Sequence, residues 1–196
     1  MKQNYTPLLF LLFFCLTVNL LLGCVPQAQT VSTGSNAATG QGGKTIVYLV
    51  RHAEKSTENP QDPALSAEGQ KRADDLLQRL VKEPVQALYA TKYKRTQQTL
   101  QPLAQAKSLP VQIYEASDFA GLAQRIKDNH QGQTVVVAGH SNTVLPILEA
   151  FGVKKPIQQI EDHQYDLLFI ATLQEGEVID LVMTSFGAPS SKATNN

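Results

Sequence analysis

The stretch GQGGKTIVYLVRHAEK, residues 40–55, decides how the chain is read, because it carries two rival phosphate signals. Gly43-Lys44-Thr45 has the ending of a nucleotide-binding loop, G-x-x-x-x-G-K-[ST]. Its first glycine would fall at position 38, where the chain has Ala38. The context is also wrong. Such a loop follows a strand and opens a helix, so that backbone N–H groups and the helix N-terminus hold phosphate. Here the run opens the apolar, β-branched segment TIVYLV, which reads as a buried strand. Arg51-His52 stands at the end of that strand, a cation beside a nucleophile.

The same arrangement recurs downstream. TVVVA, residues 134–138, is a second buried strand, followed by Gly139-His140-Ser141-Asn142. Between and beyond these strands the chain alternates. Ser66 caps a helix through about Val81, with Ala73, Leu76, Leu77, Leu80 and Val81 on one face. Residues 86–89 form a strand, and 95–106 a helix that Pro102 is expected to kink or split. Residues 111–114 form a strand, 119–129 a helix, and 142–151 a helix with Pro146 near its first turn. Two strands, 167–173 and 178–184, close the chain as a hairpin through Gln174-Glu175-Gly176-Glu177. This order predicts a three-layer α/β fold, a mostly parallel sheet flanked by helices with a C-terminal hairpin. In such sheets ligands bind beyond the carboxyl ends of the strands. His52 and His140 would face one another there.

The chain has 196 residues, enough for one domain with a full core. Residues 1–23 carry Lys2 and the apolar run LLFLLFFCLTVNLLL, the pattern of a signal-peptide core, ending in Leu21-Leu22-Gly23-Cys24. That ending resembles the lipobox of bacterial lipoproteins. The resemblance implies a lipidated Cys24, a membrane attachment through that lipid, and a place on the bacterial cell envelope. Cys15 would leave with the signal, so the mature chain would hold no thiol to pair. Residues 24–44, rich in Gln, Ser, Thr and Gly, read as a flexible tether, residues 45–186 as the domain, and 187–196 as a loose polar tail. Seventeen basic residues balance seventeen acidic ones without a basic stripe, which argues against a nucleic-acid partner.

Four ordered segments resemble the histidine phosphatase, or phosphoglycerate mutase-like, superfamily. Arg51-His52-Ala53-Glu54-Lys55 is similar to its RHG signature with Ala for Gly. Residues 65–73 (LSAEGQKRA) are similar to its L-[ST]-x-x-G helix opening. Residues 93–99 (YKRTQQT) are similar to the segment with its second arginine, and residues 139–142 (GHSN) to the segment with its second histidine. The resemblance implies that His52 is a nucleophile forming a phosphohistidine, and that Arg51, Arg95 and His140 bind the phosphoryl oxygens. It implies no metal and no cofactor. Glu115, after the third predicted strand, is the candidate general acid, with Asp118 an alternative helix cap. Ser141 stands where the acid-phosphatase branch has an aspartate. Lys92 and Lys94 read as solvated neighbours of Arg95, and His130 and His163 as structural histidines. The expected activity is metal-independent hydrolysis of phosphate monoesters, or of phosphohistidine in a protein partner. The alternative is a catalytically weak phosphate- or ligand-binding module.

Overall fold

The computed structural model describes residues 43–190. The expected signal segment, Cys24 and nearly all of the tether therefore lie outside the described residues. Among the described residues ten elements follow one another: β1 (Thr45–Arg51), α1 (Ala67–Leu80), β2 (Val85–Ala90), α2 (Lys94–Lys107), β3 (Val111–Ile113), α3 (Phe119–Asn129), β4 (Thr134–Gly139), α4 (Val144–Ala150), β5 (Leu167–Gln174) and β6 (Glu177–Ser185). The strands form one sheet in the order β3-β2-β4-β1-β5-β6. The first four are parallel, and β5 and β6 are antiparallel additions beside β1.

The topology follows from chain direction. The path β1 to β2 to β3 runs one way across the sheet, and β4 returns to the gap between β2 and β1. Right-handed crossovers travelling in opposite directions place their helices on opposite faces. Accordingly α1 and α2 cover one face and α3 the other, where α4 packs in the same core layer. Side chains alternate along each strand to feed both layers. Tyr48, Val50, Val136 and Ala138 meet Leu76, Leu80, Leu100 and Leu103. Val47, Leu49, Val135 and Val137 meet Leu122, Ile126, Ile147 and Leu148. The expected three-layer fold is what forms.

Three local features differ from expectation or explain it. The chain does not split at Pro102: α2 is a single helix, held by buried Thr99, Leu100, Leu103 and Ala104 on either side of the proline. Tertiary packing outweighs the missing backbone donor here. The fourth helix begins at Val144 rather than near Asn142, because residues 141–143 form a turn in which the Thr143 and Val144 amides both donate to the His140 carbonyl. The closing hairpin turns on Glu175 and Gly176, both at positive φ (52° and 84°), the backbone that two-residue hairpins require.

The segment after β6 is not loose where it is described. Arg72 Nη1 donates to the carbonyls of Phe186 and Ala188, and Ser190 Oγ accepts from the Tyr165 and Asp166 amides. These contacts tie residues 186–190 to the domain. The same Arg72 holds Glu54 through Nε and Nη2, the latter at 2.7 Å. Glu54 also fixes the start of α1: its carbonyl accepts from the Ser66 amide, and Ser66 Oγ accepts from Gly69. A Cβ on Gly69 would collide with the Glu54 carbonyl, which is why the helix opening needs glycine there.

Candidate active site

Strand register builds the site. In the β1–β4 pair, Arg51 stands opposite Gly139, so His52 and His140 leave the sheet side by side. The His52 amide donates to the Gly139 carbonyl at 2.9 Å, and the two imidazole centroids are 5.4 Å apart in an edge-to-face arrangement. Thr91 leaves β2 at the same edge. The β2–β3 pair brings residues 114 and 115 there too. Arg95, on the first turn of α2, reaches His140 Nδ1 from the side at 3.3 Å. Arg51, His52, Arg95, His140 and Glu115 thus line one cleft of about 540 Å³, together with Lys55, Lys92 and Asp162.

Each guanidinium is braced by a tyrosine ring. Arg51 lies 4.1 Å from the Tyr165 ring centre, and Arg95 lies 4.6 Å from that of Tyr93. Such stacking fixes the plane of the fork. Arg51 is further locked by Nη1, which donates to the carbonyls of Glu161, Asp162 and Gln164 at 2.8, 2.9 and 3.1 Å. The Nε atoms of Arg51 and Arg95 are buried and have no partner among the described residues. Both guanidiniums line the cleft, and planar cationic forks of this kind suit an oxyanion.

The histidine roles follow from their partners. His52 Nδ1 lies 2.7 Å from the Ala53 carbonyl, which only accepts, so Nδ1 carries the proton and Nε2 the lone pair. Burial above all, then the positive field of Arg51 and Arg95, lowers the His52 pKa to about 3. The same causes lower His140 to about 4. Both rings are therefore neutral near pH 7, and His52 presents a free nucleophilic nitrogen.

Glu115 is exposed at the cleft rim. Asp118 is the N-cap of α3, its Oδ1 accepting from the Gly121 amide at 2.9 Å, and does not line the cleft. Exposed Lys92 lies at the cleft, whereas Lys94 lies away from it. His130 ties the end of α3 to β2 through Tyr89 (2.8 Å) and to Gln133 (2.7 Å). His163 lines an adjoining cavity of about 1060 Å³, which shares Lys55 and Asp162 with the cleft. Among the described residues no group of three or more His, Cys, Asp or Glu is placed to hold a metal ion, and no helix is long and apolar enough to cross a membrane.

Sequence reasoning missed two kinds of residue. Thr91 had a legible signal, since it follows β2 as His52 follows β1. Tyr165 had none, because it arrives from the long connection between α4 and β5.

Residues 47–117 match the family model described as the histidine phosphatase superfamily, branch 1. Comparison with curated proteins finds no match. Among solved structures, the protein histidine phosphatase SixA complexed with tungstate is 16% identical with a TM-score of 0.58, covering 71% of this chain and 96% of its own. Bacillus stearothermophilus YhfR is 18% identical with a TM-score of 0.57, covering 68% of this chain and 94% of its own. A mycobacterial glucosyl-3-phosphoglycerate phosphatase is 11% identical with a TM-score of 0.58, covering 74% of this chain and 99% of its own. At these identities the likeness is one of fold. The chain therefore has the α/β fold of the histidine phosphatase and phosphoglycerate mutase-like proteins, and its stretch from β1 to the end of β3 carries the sequence pattern of the histidine phosphatase superfamily.

Proposed function

We propose that this protein is a metal-independent phosphatase that hydrolyses phosphate monoesters, or phosphohistidine, through a phosphohistidine on His52. The observation that carries the reading is the convergence of two guanidiniums, Arg51 and Arg95, and two imidazoles, His52 and His140, on one cleft, with the free nitrogen of His52 set by the Ala53 carbonyl. In this reading Arg51 and Arg95 bind the transferring phosphoryl oxygens with His140. Nε2 of His52 attacks phosphorus in line as the bond to the leaving oxygen or nitrogen breaks. Water then attacks the phosphohistidine, returning Nε2 and releasing inorganic phosphate. The two guanidiniums take up the charge on the equatorial oxygens. Glu115 is the carboxyl at the rim that would protonate a leaving alcohol. The short link from Tyr114 to Phe119 offers no lid, which favours a hydrolase over a mutase that must shield its phosphoenzyme from water.

The purified full-length protein should release phosphate from p-nitrophenyl phosphate equally with and without EDTA, and His52→Ala should abolish the release. Loss of activity on chelation would assign the chemistry to a metal. Binding of phosphoesters without any turnover would leave a ligand-binding module. Glu115→Gln should slow alkyl phosphates by about 10-fold or more while sparing p-nitrophenyl phosphate, whose leaving group needs no proton; equal slowing of both would remove Glu115 as the acid.

We further propose a location from the sequence alone: the Leu21-Leu22-Gly23-Cys24 ending resembles a lipobox, which supports a lipid on Cys24 and a domain held at the cell envelope. Cys24→Ser should then release the protein from membranes, and its retention there would point to an uncleaved apolar anchor.

A further inference from the structure

The unassigned feature of the site is what stands behind His140. Its Nε2 is 3.0 Å from Thr91 Oγ1, which is 2.8 Å from Thr96 Oγ1. Thr96 Oγ1 in turn faces two carbonyls, Tyr93 at 2.8 Å and Thr91 at 3.1 Å. Both threonines are wholly buried. Carbonyl oxygens only accept, so they draw the Thr96 hydroxyl proton and give the chain a direction. Thr91 then donates to Thr96 and accepts from His140, which puts the ring proton on Nε2. The other end agrees: Nδ1 faces Arg95 Nη2, a group that only donates, so Nδ1 holds a lone pair.

This polarity conflicts with oxyanion binding. A lone pair on Nδ1 and an anionic oxygen repel one another. Reversing the threonine chain would remove the Thr96 hydroxyl from its carbonyl acceptors, in a buried place where an unmade hydrogen bond is expensive. The remaining way for Nδ1 to become a donor is to gain a proton from solvent.

We propose that Thr91 and Thr96 are positioning residues that hold His140 as its Nε2–H tautomer, so that the site takes up one proton, on His140 Nδ1, as it binds its oxyanion. The inference rests on the reading of this cleft as an oxyanion site. Arg51, His52, Tyr93 and Arg95 surround the ring, and the carboxylates of Glu115 and Asp162 line the same cleft. Burial and the two arginines oppose a charged ring until an anion arrives, while Lys55 and Lys92 also line the cleft. The low pKa of free His140, about 4, fits that picture. The proton balance is simple: free enzyme, oxyanion and one solvent proton give a complex with an imidazolium, and release of the anion returns the proton.

Tungstate, a tetrahedral dianion, is the probe. It is titrated calorimetrically into the full chain at about pH 7.5, above the ordinary histidine pKa, in buffers of differing ionisation enthalpy. The dependence of the heat on the buffer counts protons. Uptake close to one proton per tungstate is expected, both in the wild type and in His52→Asn, which removes the other imidazole. In Thr91→Val nothing accepts from Nε2–H, the ring turns to its Nδ1–H tautomer, and uptake should fall by at least about half, with Thr91→Ser restoring it. Nitrogen NMR of the wild-type His140 ring gives the same test without a variant: one protonated nitrogen, Nε2, when free and two when tungstate is bound. Binding without proton uptake, or an Nδ1–H ring in the free protein, would overturn the proposal while leaving the oxyanion site intact. Absence of tungstate binding would overturn the site itself.

Discussion

The cleft has two halves built on one plan and held by different means. In the first, His52 and Arg51 are fixed by main chain: His52 Nδ1 by the Ala53 carbonyl, and Arg51 Nη1 by three carbonyls of residues 161–164. In the second, His140 and Arg95 are fixed largely by side chains, through Thr91, Thr96 and the Tyr93 ring. Carbonyl acceptors come with the fold and have no alternative polarity. Hydroxyls can be removed or turned. In the proposed reaction the nucleophile therefore sits in the half whose tautomer no single side-chain change can alter, and the proposed oxygen-binding ring sits in the half that responds to its surroundings.

The widest gap between the halves should be between the two histidines. His52→Ala should lower kcat by about 1000-fold or more, since the covalent route is gone. His140→Ala should lower it by about 100-fold, the scale of one lost oxyanion donor, and leave phosphoryl transfer to His52 detectable. Equal losses from steady-state kinetics would erase the distinction. The arginines should separate in another way. Arg51→Lys keeps the charge but loses the planar fork and the Nη1 that holds the 161–164 loop, so both activity, by about 100-fold, and Tm should fall. Arg95→Lys should reduce activity comparably with little change in Tm, because its guanidinium supports no backbone. A Tm change of the same size in both, by calorimetry, would contradict the contrast.

How much of this was legible depended on the reach of the cause. The RH and GH dipeptides after β-branched runs exposed both histidines, because a strand end is a local feature. Register then made them neighbours, and the Val50–Ala138 and Arg51–Gly139 pairings are consistent with the hydrophobic runs alone. Arg95 was visible only by resemblance. The arginine braces were not visible. Tyr165 and the carbonyls of residues 161–164 reach Arg51 across more than a hundred residues of chain, and the clamp from Arg72 to residues 186 and 188 is equally remote. No periodicity encodes such contacts. Pro102 failed as a breaker for the same reason: burial on both sides of it outweighs a local rule.

The smallest expected effect is on stability. Both histidines have lower pKa values folded, about 3 and 4, than the ordinary 6.5, so the unfolded chain binds more protons as pH falls. Their contribution to stability is complete above about pH 6.5 and declines as pH drops toward the folded values. Thermal melts between neutral pH and about pH 5 should show this decline, reduced in a His52→Asn, His140→Asn double variant. An unchanged slope in that variant would mean that other groups carry it.

The central claim is that phosphorus passes through the main-chain-fixed ring. Its most direct measurement is to mix the full-length protein with substrate, quench at alkaline pH where phosphohistidine survives, and locate the phosphoryl group by peptide mass spectrometry. The account predicts one phosphoryl group on the peptide bearing His52, absent in His52→Ala and present, more slowly formed, in His140→Ala. Phosphate released with no phosphoryl on His52 at any time during turnover, or a phosphoryl group found on His140 instead, would contradict it.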